Sequence, residues 1–232
     1  MLLDGWIMRF SSGYTKRANS VNPLYSSSSD VEEKIEACER LYSGRALDTV
    51  FKLTTAANPE TLDSILQNRG YAFESDTAVQ TLDLRPIKET NTPKVELSEE
   101  LSEEWLSAFS QMSNLDEKKK RISEQMQSSI IPEKRFASIS REGRIVACGL
   151  AVLQQSYVGL FDIATHKDFR RQGFARRLTL SLLSWGKESG AKLAYLQVVL
   201  NNEPALKLYS SLGFIESHRY WYRIKKFTWS PM

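Results

Sequence analysis

The stretch Ile163-Ala164-Thr165-His166-Lys167-Asp168-Phe169-Arg170-Arg171-Gln172-Gly173-Phe174-Ala175-Arg176 decides how the chain is read. It joins an apolar run, 157 to 165, that reads as a strand to an amphipathic run, 175 to 189, that reads as a helix. The helix places Ala175, Leu178, Leu182 and Trp185 on one face and is ended by Gly190. Chemically the junction is an anion cradle. A helix N-terminus leaves backbone N–H groups unpaired and carries partial positive charge. A glycine lets main chain approach a phosphate group closely, and the flanking arginines add charge. No Lys-Ser/Thr pair follows, which excludes the nucleotide-triphosphate P-loop. Taken alone, the junction is as much a capped helix with basic decoration as a phosphate site.

Working outward, a strand over 193–200, a helix over 204–212 and a strand near 220–226 follow the cradle. Before it stand two strands, 136–141 and 144–153, turning at Glu142-Gly143. Two helices, 101–112 and 116–129, precede them; the second carries the basic run 118–121, read as a solvated face. Pro86 and Pro93 among polar residues mark a linker over 86–94, dividing a domain at 1–85 from one at 95–232. The first domain reads as two strands around Ser11-Ser12-Gly13 (6–10 and 17–24). A helix follows, capped by Ser29 or Asp30, with Val31, Ile35, Cys38 and Leu41 on one face. A strand at 49–53, a helix at 59–68 stopped by Gly70, and a strand at 78–84 complete it. Strands that alternate with helices and then return antiparallel predict an α/β (α+β) fold: a mixed, mostly antiparallel central sheet flanked by helices.

The two halves repeat at an offset of 143 residues, which sets Gly70-Tyr71 on Gly213-Phe214, Leu53 on Leu196 and Ile65 on Leu208. At this offset the cradle 170–175 falls on Ser27-Ser28-Ser29-Asp30-Val31-Glu32, with Asp30 in place of the glycine and Leu66 in place of Tyr209. Carboxylates there would oppose an anionic ligand. The first half therefore reads as a degenerate copy that keeps the scaffold and has lost the chemistry. Its polar stretch 15–20 reads as an exposed edge strand.

Arg170-x-x-Gly173-x-Ala175 resembles the Arg/Gln-x-x-Gly-x-Gly/Ala signature of the GNAT N-acetyltransferases. The likeness continues through Asn202-x-x-Ala205-x-x-Leu208-Tyr209-x-x-x-Gly213-Phe214, and residues 159–222 are similar in particular to the ribosomal-protein N-terminal-alanine acetyltransferases. The resemblance implies a GNAT-like fold and acetyl-CoA as co-substrate. It implies that Arg170, Arg171, Gln172, Gly173, Phe174, Ala175 and Arg176 form the pyrophosphate loop. Main chain at Ile163, Ala164 and Thr165 would pair with the pantetheine arm, and Asn202 would hold its far end. Tyr209 stands at the position of the acid that protonates the departing thiolate. Those relatives carry a glutamate, the expected base, where this chain has Gln197, and glutamine cannot accept a proton. Asp162 lies on the opposite strand face from Ile163 and Thr165 and reads as structural.

The expected function is therefore acetyl transfer from acetyl-CoA to the primary amine of a small molecule or peptide; the alternative is a non-catalytic acyl-CoA-binding sensor or scaffold. Thirty-one basic against 28 acidic side chains give a charge of +3, too balanced to call for nucleic acid or an anionic membrane. Two histidines and two separated cysteines, Cys38 and Cys148, cannot build a His- or Cys-rich metal site, so no metal is expected. The first residues lack the pattern of a signal peptide, and no apolar run is long enough to span a bilayer. A cytoplasmic monomer or homodimer is the expectation.

Overall fold

The structure, a computed structural model, describes residues 1–86 and 95–228. In chain order its elements are β1 (Leu2–Leu3), β2 (Trp6–Met8), a 3-10 turn (Lys16–Ala18), β3 (Val21–Pro23), α1 (Val31–Ser43), β4 (Thr49–Thr54), α2 (Leu62–Asn68) and β5 (Ala72–Asp83). Then come β6 (Glu96–Ser98), α3 (Glu103–Met112), α4 (Glu117–Ser128), β7 (Lys134–Arg141), β8 (Arg144–Gln154), β9 (Tyr157–Thr165), a 3-10 turn (Lys167–Phe169), α5 (Phe174–Glu188), β10 (Leu193–Val199), α6 (Glu203–Ser211) and β11 (Ile215–Lys225). Contacts gather the described residues into two compact units, one drawn from 1–78, 199–201 and 218–228, the other from 79–86, 95–198 and 202–217. The stretch 86–94 that the sequence marks as a linker lies, from residue 87 on, outside the described residues.

In the first unit the strands run β1-β2-β3-β4-β11. All neighbours are antiparallel except β3 and β4, which pair in parallel at Val21 and Phe51. Trp6, Ile35, Cys38, Phe51, Leu53 and Leu66 form its fully buried centre, with Val31 and Leu41 packed at the margin, so the helix face read from the sequence is the one that faces inward. Asp30 caps α1 by accepting from the N–H groups of Glu32 and Glu33. Asp63 at the start of α2 accepts from Arg223 (2.7 and 2.9 Å) and from the Trp221 indole (2.6 Å), which ties β11 to the helix.

The sequence reading of 17–24 as one strand is corrected here. Thr15 Oγ1 accepts from Ala18 N–H, and Asn19 Oδ1 accepts from Ser11 and Gly13 N–H, at 2.6 and 3.0 Å. These local side-chain bonds offer the backbone an alternative to a ladder. They fold 15–19 into a turn and leave only three residues to β3. The stretch 15–20 is accordingly no edge strand. The helix expected from residue 59 starts at Leu62, and the strand expected from residue 78 starts at Ala72.

In the second unit the strands run β5-β10-β9-β8-β7-β6. Glu142 and Gly143, at φ +52° and +74°, make the two-residue turn read between β7 and β8. Trp105 and Phe109 of α3 pack on Phe136, Cys148 and Leu150, and the Trp105 indole donates to Ala137 O at 2.9 Å. Leu178, Leu182, Leu183 and Trp185 of α5 are buried. At the offset of 143 residues, α1 and α5, Gly70 and Gly213, and β5 and β11 all begin in step, and both glycines are left-handed, at φ +82° and +92°.

Candidate active site

Three local features meet around the end of β9. The first is a bulge. Cys148 of β8 faces Ala164 of β9, and Leu150 faces Phe161, so Asp162 and Ile163 together oppose Gly149 alone. Asp162 takes the left-handed conformation, φ +53°, that the extra residue demands. Gly149 is a requirement of this arrangement. A Cβ there would come within 2.5 Å of Ile163 Cδ1 and 2.6 Å of Leu178 Cδ2. The bulge sends Asp162 to α4, where its Oδ2 accepts from the buried Gln127 amide at 2.9 Å. Asp162 thus holds the bulge in place, in keeping with the structural role read for it, and its partner Gln127 was not foreseen.

The second feature is a parting of strands. β9 and β10 pair in parallel from Tyr157/Leu193 to Gly159/Tyr195, and their ladder goes no further although β9 runs on to Thr165 and β10 to Val199. Ile163, Ala164 and Thr165, the residues expected to meet a pantetheine arm, lie beyond the last pair and are all half-buried. Thr165 Oγ1 is buried without a hydrogen-bond partner. Gln197 is half-buried between the buried Leu196 and Val198.

The third feature is the cradle. Arg171 (φ +61°) and Gly173 (φ +77°) both turn left-handed, which bends the loop so that α5 starts at Phe174 with Gly173 as a cap that has no side chain. A Cβ built on Gly173 meets nothing within 4 Å, so the space above the helix start is open. The first turn of α5 contains no acid and does contain Arg176 and Arg177. Cations at a helix N-terminus each oppose the helix dipole by about 0.3–1 kcal/mol. Uncapped N–H groups under added positive charge make a local conflict that a bound anion resolves. The loop residues divide by role. Arg171 and Gln172 are exposed, while the Phe174 side chain is buried against Phe169, leaving only its main chain for a ligand. Arg170 Nε donates to Thr165 O at 3.3 Å, bridging cradle and strand end, and Arg176 donates to Ser211 Oγ at 2.9 Å. Ala175 is half-buried.

Tyr209 is buried on α6 with its ring 5.8 Å from Phe214. Burial pushes its phenol up to about 12, so it is a proton donor at any ordinary pH. Asn202 is exposed and caps α6, its Oδ1 accepting from Ala205 N–H at 3.3 Å. The cap leaves its amide nitrogen as a donor outside the helix. Burial raises the thiols of Cys38 and Cys148 far above their ordinary range, the former to about 12, and neither serves as a nucleophile.

The corresponding loop of the first unit is already filled. The Asp4 carboxylate accepts from Ser27 Oγ (2.7 Å), Ser28 N–H (3.0 Å) and Ser29 N–H (2.8 Å), which holds it well below the ordinary carboxylate range. Asp30 occupies the helix N–H groups. The sequence foretold the hostile carboxylate at 30. It hid Asp4, an internal anion seated in the place of an external one.

A bulged strand parting from its neighbour beside an open, basic, uncapped helix start is the architecture of a GNAT-type N-acetyltransferase. A family model described as "Probable histone acetyltransferase Rv0428c C-terminal" matches residues 1–223, and the chain belongs to that family. It is 27% identical over 228 residues to the uncharacterized N-acetyltransferase YobR of Bacillus subtilis, covering 95% of this chain and 90% of that protein. Over 95 residues it is 32% identical to the ribosomal protein bS18-alanine N-acetyltransferase of Escherichia coli, which is 37% of this chain and 64% of that one. In fold it is similar to a GCN5-related N-acetyltransferase from Kribbella flavida, with a TM-score of 0.71 at 15% identity over 97% of this chain and 88% of the other. The chain is an N-acetyltransferase.

Proposed function

We propose that the chain uses acetyl-CoA and transfers the acetyl group to the primary amine of a small molecule or peptide by direct attack. The observation that carries this reading is the open, uncapped and basic start of α5 beside the parted strands. The N–H groups of the α5 first turn would hold the pyrophosphate, with Arg170 and Arg171 adding charge. Main chain at 163–165 and the amide of Asn202 would line the arm. Acetyl-CoA supplies an acetyl group activated as a thioester. The Tyr209 phenol would give its proton to the departing sulfur. The amine must arrive neutral, and Gln197 can orient it or a water but cannot take its proton. The missing glutamate favours one second reading, a sensor that binds acetyl-CoA and stops.

Calorimetric titration of acetyl-CoA into the wild type and Gly173→Glu tests the binding step. Binding that the variant loses supports the cradle; no binding to either protein sinks the proposal. Thiol release in the presence of an amine panel then separates enzyme from sensor.

A further inference from the structure

The first unit carries a group of cations that lack a counter-ion among the described residues. Phe51 and Leu53 of β4 point into its core, which turns Lys52 to the other face of the strand. There the Lys52 ammonium lies 4.0 Å from the centre of the Tyr220 ring. Arg17, carried in by the 3-10 turn, donates from Nη2 to Tyr220 Oη at 3.3 Å. Its Nε is buried with no partner. Burial, then the charges of Arg17 and Arg9, pull Lys52 down to about 8, and no acid offsets them. The other charges nearby cancel: Lys16 pairs with Glu74 and lies 5.8 Å from the Tyr222 ring, and burial pushes the Tyr222 phenol up, which keeps it neutral.

Half-burying like charges side by side is unfavourable unless something compensates them, and a buried guanidinium N–H without an acceptor adds to that cost. An oxyanion would offset both charges, accepting from Lys52 and from the guanidinium of Arg17 while the Tyr220 ring walls the site. We propose that Arg17 and Lys52, which converge on Tyr220, form an oxyanion-binding site in the first unit, built for a small molecule bearing a phosphate or carboxylate group. The site shares no residue with the acetyl-CoA cradle and stands whether or not that cradle is active.

The test uses the full chain carrying Gly173→Glu, so that phosphate cannot report on the cradle, with lysine labelled at 13Cε. Inorganic phosphate and acetate are titrated separately. Saturable displacement of the Lys52 signal is expected, with its titration midpoint raised from about 8 by about one pH unit or more, as an adjacent opposite charge requires. Anion binding should weaken as pH rises through that midpoint. Lys52→Met and Arg17→Gln should each weaken binding about tenfold or more. Response to phosphate alone assigns a phosphate ligand, and a comparable response to acetate assigns a carboxylate. If neither anion moves the Lys52 signal, or if both variants bind as tightly as their parent, the site does not exist. Should a variant fail to fold, the Lys52 signal of the parent still decides.

Discussion

Replacing Gly173 by alanine separates what the backbone costs from what the ligand needs. Gly173 sits at φ +77°, ψ 4°, where an L-residue costs about 1–2 kcal/mol. A Cβ there meets nothing within 4 Å, so no overpacking is added. For a chain of this length 1 kcal/mol moves Tm by about 2–4 °C, which sets the expected drop at about 2–8 °C. Gly190, at φ +93° and equally open, ends the same helix at its far end and is the matched control. Gly190→Ala should lose the same stability. The two variants part at the ligand. On the proposed placement of the cofactor, the new methyl at 173 stands where the pyrophosphate comes close to the α5 N–H groups. Losing one hydrogen bond to a charged group is worth about 1.5–3 kcal/mol, or about 10- to 150-fold in Kd. Thermal melts and calorimetry with acetyl-CoA on both variants read the two effects separately. Equal affinities in Gly173→Ala and Gly190→Ala would refute the placement of the cofactor at this glycine.

Tyr209→Phe should lower kcat about 100-fold or more and leave acetyl-CoA affinity within about twofold, as expected for removal of a general acid. Because burial holds the phenol at about 12, the wild-type pH profile should show no alkaline loss from this group below about pH 11; a decline near 10 would contradict its assignment. Asp63→Asn tests the link between α2 and β11. Hydrogen bonds from Arg223 hold the Asp63 carboxyl below its ordinary value, so its stabilisation is complete above about pH 4 and is lost as pH falls through the lowered value. The variant should lose about 2 kcal/mol at pH 7, less than a fully buried pair because a third of Asp63 is exposed, and in denaturant melts its gap from the wild type should narrow as pH falls below about 4. Asp4→Ala should lower Tm by stripping the Ser27 hydroxyl and the Ser28 and Ser29 N–H groups of their acceptor and loosening the buried Lys34, yet acetyl-CoA stoichiometry should stay at one, since Asp30 still caps α1. A second molecule bound by the variant would overturn that account.

The order from β7 to β11 was legible because the elements are strongly periodic, and because glycines close the turns at 143, 190 and 213. The cradle was legible for the same reason: spacing alone places Gly173 at a helix start. The bulge was not. Alternation along β9 gives no sign of an extra residue at 162, since the demand for it comes from Gly149 on the neighbouring strand and from Gln127 on α4. Asn19 hid the turn at 15–19, because a residue compatible with a strand by pattern uses its amide to bind the loop before it. The early start of β5 was masked by Phe73, an exposed aromatic where alternation offers no contrast. Asp4 could not be matched to residues 27–29 from a single sequence, because the contact spans more than twenty positions and leaves no periodic trace.

The six-pair ladder between β4 and β11 also governs how the chain is made. β4 is synthesised well before its partner strand, with most of the second unit's sequence between them. Domains usually fold as they leave the ribosome, N-terminal part first. This one must wait. Until residues 220–225 emerge, β4 presents an unpaired edge and Asp63 lacks Arg223, so the nascent first unit is open to wrong pairing. The late strand acts as a check: a chain in which β11 has not yet been made leaves the edge of β4 open to proteases and chaperones.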